Sequence, residues 1–233
     1  MTWHIAKTLD MVESAFGRPQ RMAANASIQS TNQRLRFAHF HYHEVVKELA
    51  AYRASALSDR MVIDVAFSQD DDERCNYYAF MERIGAHAVA CVQSIHAIAD
   101  LLAASVFVGL NLNAKGKTVD EHSITFGVTL ERLATDPLYA NVETLLKALR
   151  ADVSFQHVDA LSNKSKHSSI VRPMLNEDLT GERSDRFEIR FESFERKGVL
   201  YPQAAIADVL APAYELASRT TVDVGNELTK ILS

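Results

Sequence analysis

The segment "IGAHAVACVQSIHAIADLLAASVFVGL", residues 84–110, constrains the fold more than any other part of the chain. It lies in the longest apolar run, which His87, Gln93, His96 and Asp100 interrupt. A membrane-spanning helix needs about 20 predominantly apolar residues in a row. The polar interruptions therefore point to a helix buried inside a protein. The stretch that leads into it, "YYAFMER", carries the same helical pattern from residue 77. A helix that is apolar nearly all round must be covered on every side by other elements.

The rest of the composition fits a helical protein with a substantial core. In 233 residues, 47% are hydrophobic, and there are only 8 Gly and 5 Pro, which favours helices over a loop-rich β fold. A net charge of −5 offers no general electrostatic footprint for nucleic acid. Two cysteines, Cys75 and Cys91, are too few for a disulfide framework or a zinc knuckle and suit a reducing compartment. The N-terminal "MTWHIAKTLDMVESAF" lacks the layout of a signal peptide. The expectation is a cytoplasmic protein with no membrane association and no cofactor.

Periodicity then divides the chain. Residues 3–16 read as a short amphipathic helix ending near Gly17-Arg18-Pro19, and "NASIQSTNQ", 25–33, reads as a polar connection. Ala38, Tyr42, Val45, Val46, Leu49, Tyr52 and Ala56 follow three-and-four spacing and predict a helix over 33–58. The acidic "SQDDDER" leads into a core helix over 76–110, since carboxylates suit a helix N-terminus. "TVDE", 118–121, has the form of a capping box opening a helix to about 134. Asp136-Pro137 supplies an N-cap followed by proline, predicting one helix over 137–167. After His167 the period changes to two: "RFEIRFESFE", 186–195, alternates strictly, and "SSIVRPML" and "GVLYP" are its candidate partners in a sheet over 169–201. Residues 203–232 return to helical spacing, with a kink or break at Pro212. The predicted fold is a single mainly α domain over 1–233, an antiparallel helical bundle with a small antiparallel β-sheet inserted before the C-terminal helix.

Few residues suggest chemistry. "LSNKSKHSSIV", 161–171, gathers Asn163, Lys164, Lys166 and His167. Cations at a helix C-terminus are favourable on their own account, because the last carbonyls lack partners there. The sharper reading pairs them with Ser94, His96 and Asp100 of the core helix in one polar network, with His96 and Asp100 spaced i,i+4. Most such buried networks fix helix register. Arg150 and His157 are seven residues apart, about 20° apart on one continuous helix face. An Arg–His pair can cleave RNA without metal, the histidine moving protons and the arginine stabilising phosphorane charge. Other Arg and His residues fall in similar windows around 34–43, so the spacing alone is not distinctive. His39 and His43, also i,i+4, could share a metal, but a zinc site needs three or four ligands and none completes this one. No metal is therefore expected.

The order of these elements carries a resemblance. A buried helix with "SIHAIAD", followed by a helix ending "LSNKSKHSSIV" and then strands, resembles helical proteins of the HEPN superfamily. The likeness is to bacterial members with an Asn-x-x-Lys-His segment, matched here by Asn163, Lys166 and His167, and it covers roughly residues 80–175. It implies two alternatives. Many members of that superfamily are metal-independent RNases using an Arg and a His with four to six residues between them at a dimer interface; Arg150 and His157, with six between, would fill those roles, with Lys164 or Lys166 holding phosphate. Others lack the motif and act as nucleotide-associated or assembly modules. Here Ala151 follows Arg150 where the family usually has a polar residue. The expectation is the noncatalytic form, a homodimeric binding or assembly module, with the endoribonuclease and its RNA or nucleotide ligand as the alternative.

Overall fold

The computed structural model describes residues 2–233. It is mainly helical, with a small antiparallel sheet before the C-terminal helix, as the change of period predicts. The helices are α1 (Ile5–Phe16), α2 (Arg18–Ala56), α3 (Val62–Ala66), α4 (Asp71–Gly109), α5 (Phe126–Leu133), α6 (Ala140–Ala151), α7 (Val153–His167) and α8 (Ile206–Ile231). The strands are β1 (Pro173–Glu177), β2 (Phe187–Phe191), β3 (Phe194–Arg196), β4 (Val199–Tyr201) and β5 (Ala204–Ala205). The chain groups into two compact units. One takes the residues up to Arg36, Ser94–Gln156 and Ala213–Ser233; the other takes Phe37–Gln93 and His157–Pro212.

In the first unit, Trp3, Leu9, Val12, Ala24 and Ile28 form a buried cluster, with Ile5, Val108, Val222 and Leu232 packed against it. Trp3 donates its indole N–H to Thr8 Oγ1 at 2.8 Å, and the Thr8 hydroxyl lies 2.5 Å from that of Thr229. The ring lies so close to α8 that a Cβ at Gly225 would fall 2.0 Å from Trp3 Cδ2. The α2 and α4 residues of this unit run side by side: Gln20 donates to the Val108 carbonyl at 2.5 Å, and the Ser27 and Thr31 hydroxyls meet that of Ser105 at 3.0 and 3.1 Å.

The second unit continues the same pattern through its own residues. Cys91 donates to the Ala38 carbonyl at 3.3 Å, Arg83 pairs with Glu48 at 2.9 Å, and the Tyr52 and Phe80 rings stack 4.1 Å apart. Burial pushes the Cys91 thiol up to about 12, so it is an inert core group. β1, β2 and β5 form one antiparallel sheet in that order, with Leu175 opposite Ile189. Phe187, Ile189 and Phe191 are all buried on one face, as their alternation requires. β3 and β4 form a separate hairpin, turned by Lys197 and Gly198 at φ +51° and +77°, the backbone a two-residue turn of this hand needs.

Four sequence expectations are corrected. Residues 25–33 are not a connection but the middle of α2. Ala24, Ile28 and Thr31 form a buried stripe whose neighbouring hydroxyls have partners, which removes the cost of their polarity. "TVDE" does not open a helix. Asn113 takes both backbone groups of Val119, accepting from its N–H at 2.8 Å and donating to its carbonyl at 3.1 Å. Helix α5 starts later, capped by Thr125, whose hydroxyl accepts from the Val128 N–H at 3.2 Å. Residues 137–167 are not one helix: after a single 3-10 turn (Pro137–Tyr139), α6 ends at Ala151 and Asp152 adopts extended backbone, ψ 138°. Its carboxylate accepts from the N–H of Ser154 at 2.9 Å and caps α7. The stretch 186–195 is not one strand but two: its first part, Phe187–Phe191, pairs with Pro173–Glu177, and its end, from Phe194, pairs with "GVLYP" as expected. The most apolar window of α4 is long enough to cross a membrane by length and composition, but 67% of it is buried inside the protein, so α4 is a core helix.

The fit of Trp3 against Gly225 gives a direct test. Gly225→Ala must displace the indole and is expected to destabilise the protein by about 1–3 kcal/mol, the usual range for overpacking. Trp3 is the only tryptophan in the chain, so its fluorescence during urea unfolding reads this site alone.

Candidate functional site

The two residues that suggested RNA cleavage are held by different local structures. Arg150 lies in the last turn of α6 and is exposed, with its guanidinium 4.6 Å over the Phe126 ring. His157 lies in α7, beyond the break at Asp152. That break removes the continuous helix on which the 20° face argument rests. The imidazole packs beside the aromatic rings of the β3–β4 hairpin, 5.9 Å from Phe194 and 5.1 Å from Tyr201. Those two rings stack on each other at 4.7 Å. A 3.2 Å bridge from Arg196 to Asp159 joins the same hairpin to α7. His157 Nε2 is shut off from solvent without a hydrogen-bond partner. Burial holds the ring below the ordinary histidine range, favouring its neutral form.

The polar-network residues are placed individually. Ser94 and His96 are buried in α4, whereas Asp100, one turn beyond His96, is exposed. Asn163 donates back to the Asp159 carbonyl at 2.9 Å, a bond within its own helix. Lys166 and His167 are exposed at the C-terminal end of α7, where Lys164 contributes its carbonyl to the N–H groups of Ser168 and Ser169. This is the arrangement of a helix terminus whose last carbonyls are being satisfied. Ser162, beside Asn163, is fully buried with no partner for its hydroxyl. Sequence reasoning passed over it because a serine at the start of the polar run 162–169 carries no burial signal of its own.

Histidines make two further pairs, both in the second unit. His39 and His43 bring their Nε2 atoms within 3.0 Å on the exposed face of α2. His41 Nδ1 lies 2.9 Å from His87 Nδ1, linking α2 to α4. One ring must donate from Nδ1 and the other accept there, so the two cannot both carry a proton on Nδ1 in this arrangement. His41 is held below the ordinary histidine range, first by burial and then by the neighbouring His87. The sequence pattern showed the i,i+4 pair and missed this one, because its partners are 46 residues apart. Among the described residues, no group of three or more His, Cys, Asp or Glu is gathered to hold a metal ion. The chain matches no family model, no curated protein and no solved structure in the comparisons made.

The two depressed histidines define a pH dependence. Both take up a proton more readily in the unfolded chain, so their contribution is complete above the ordinary value of 6.5 and is lost as the pH falls below it. Urea unfolding is expected to give lower stability at about pH 5.5 than at about pH 7.5. His157→Phe keeps an aromatic ring against Phe194 and Tyr201 and removes the unpaired nitrogen. It should raise stability by about 1–3 kcal/mol and flatten part of the decline. A decline unchanged in this variant would show that His157 does not contribute to it.

Proposed function

We propose that this chain is a noncatalytic binding or assembly module, HEPN-like in its element order, working in the cytoplasm as a homodimer. One observation carries the noncatalytic reading: His157 is built into the wall of the β3–β4 hairpin. A general acid or base must come within hydrogen-bond reach of the proton it moves. His157 Nε2 is shut off from solvent with no hydrogen-bond partner, and its ring packs beside Phe194 and Tyr201. Arg150, for its part, rests on Phe126 and heads the end of a separate helix. The arrangement suits a histidine that joins a hairpin to a helix better than one that receives a phosphodiester.

The cationic end of α7 fits the same reading. Lys164, Lys166 and His167 lie where positive charge complements the helix dipole. That role requires no ligand.

The decisive assay is RNA cleavage in EDTA by the purified full chain, on structured and single-stranded RNAs. The expected result is no cleavage above a mock preparation. A histidine acting as general acid or base contributes a factor of about 10²–10⁴ in rate. Cleavage that copurifies with the wild type and disappears in both His157→Ala and Arg150→Ala, with the helical content of each retained, would replace this reading with the endoribonuclease.

A further inference from the structure

We infer that a groove on the second unit, between α4 and the segment after α7, is the surface through which two copies of this chain pair. The inference rests on the assembly-module reading and gives it a site. The groove encloses about 770 Å³ and is floored by Met81, Ala86, Val89 and Ala90 of α4. Its second wall is the segment that carries Ile170, Arg172 and Pro173. The two walls come close at Gly85, where a Cβ would lie 4.0 Å from Pro173 Cγ.

Three features of this surface favour a second copy over a small molecule. The first is shape. Tyr78 and Ile170, 60% and 58% exposed, stand beside the hollow on the same face. A two-fold interface uses one patch twice, so it requires a hollow and a projecting group that fills it side by side. Large apolar side chains of this kind are the usual anchors of such contacts.

The second feature is charge. Glu82 stands on the α4 wall and Arg172 on the opposite wall, both exposed. Neither has an ion pair among the described residues. Two copies facing each other across a two-fold axis through the groove place each Arg172 against the other copy's Glu82. The two unpaired charges are therefore complementary to the same face of a second molecule. The third feature is where the polar groups lie. Small-molecule sites direct a few polar groups inward from an enclosing wall. Here Glu82, Gln93 and Arg172 are all exposed, leaving the floor apolar. A polar rim around an apolar centre is the anatomy of a protein interface.

The test uses the full chain and light scattering after size exclusion, with loading from about 1 to 100 µM to bracket a micromolar dissociation constant. The wild type is expected to be dimeric at the upper end. Glu82→Arg sets like charges against each other across the axis and is expected to weaken the dimer at least about tenfold. Combining Glu82→Arg with Arg172→Glu restores opposite charges and should restore dimerisation. Ala86→Glu, which puts a charge on the floor, should leave a monomer. Circular dichroism and thermal unfolding establish that each variant is folded; both charge positions are exposed, so folding should be unaffected. A wild type that stays monomeric at all loadings overturns the inference, as does a Glu82→Arg variant that dimerises like the wild type or a double variant that does not recover. A monomeric wild type without RNA cleavage would leave the noncatalytic reading standing. Cleavage dependent on His157 would remove that reading whatever the oligomeric state.

Discussion

Everything in this structure follows from the need to cover α4. Its side chains from Phe80 to Phe107 include eleven apolar residues that are at most 1% exposed, and at about 100° per residue they cover one half of its circumference, while Glu82, Ala86, Gln93 and Asp100 lie exposed on the other. Burying a large apolar side chain is worth about 1.5–3 kcal/mol, so that apolar half of the helix cannot be left to water without a large cost. The longest helix available to cover it is α2, equal in length at 39 residues. Within each unit the two run antiparallel in a consistent register, through Gln20 and Val108, then Ser27 and Ser105 in one, and through Ala38 and Cys91, Glu48 and Arg83, then Tyr52 and Phe80 in the other.

That register is held partly by polar groups. The Ser27–Ser105–Thr31 hydroxyls and the His41–His87 imidazoles are buried or half-buried between helices, where an unpaired donor costs about 1–3 kcal/mol. Within either unit, sliding α2 by one turn along α4 would unpair the polar groups of that unit. Hydroxyls and imidazoles therefore do here what apolar side chains cannot, which is to distinguish one register from the next. The same logic applies where the β3–β4 hairpin meets α7. His157 packs tilted against Phe194 and Tyr201 while Arg196 reaches Asp159, so one contact is aromatic and the other ionic. Residues that look reactive in the sequence are mostly joints in the fold.

The patterns legible in the sequence were those with a local cause. The strand at Phe187–Phe191 reads directly from its alternation, and the Asp136 cap from the proline that follows it. The C-terminal end of α7 reads from its cations. The misreadings share another cause. The apolar stripe from Val142 to Leu161 continues across the break at Asp152, because periodicity counts apolar positions and does not register one residue leaving helical backbone. "TVDE" has every local mark of a capping box, and a side chain five residues upstream, Asn113, overrides it. For the candidate site, sequence spacing identified the residue types and failed on their surroundings. It could not tell that Nε2 of His157 would be buried without a hydrogen-bond partner.

The sequence by itself determined the class of this protein: a mainly helical chain around one long, largely apolar core helix, with a small sheet inserted late. Those properties depend on which residues lie within a few turns of each other, and hydrophobic period records that. Tertiary structure alone decided which polar groups became joints and which stayed exposed. Pairings such as His41 with His87 or Thr8 with Thr229 join residues far apart in the chain, and no local pattern encodes them. The unpaired charges of Glu82 and Arg172 belong to the same category. Each is an ordinary surface residue in the sequence, and they acquire meaning only when folding sets them on opposite walls of one groove.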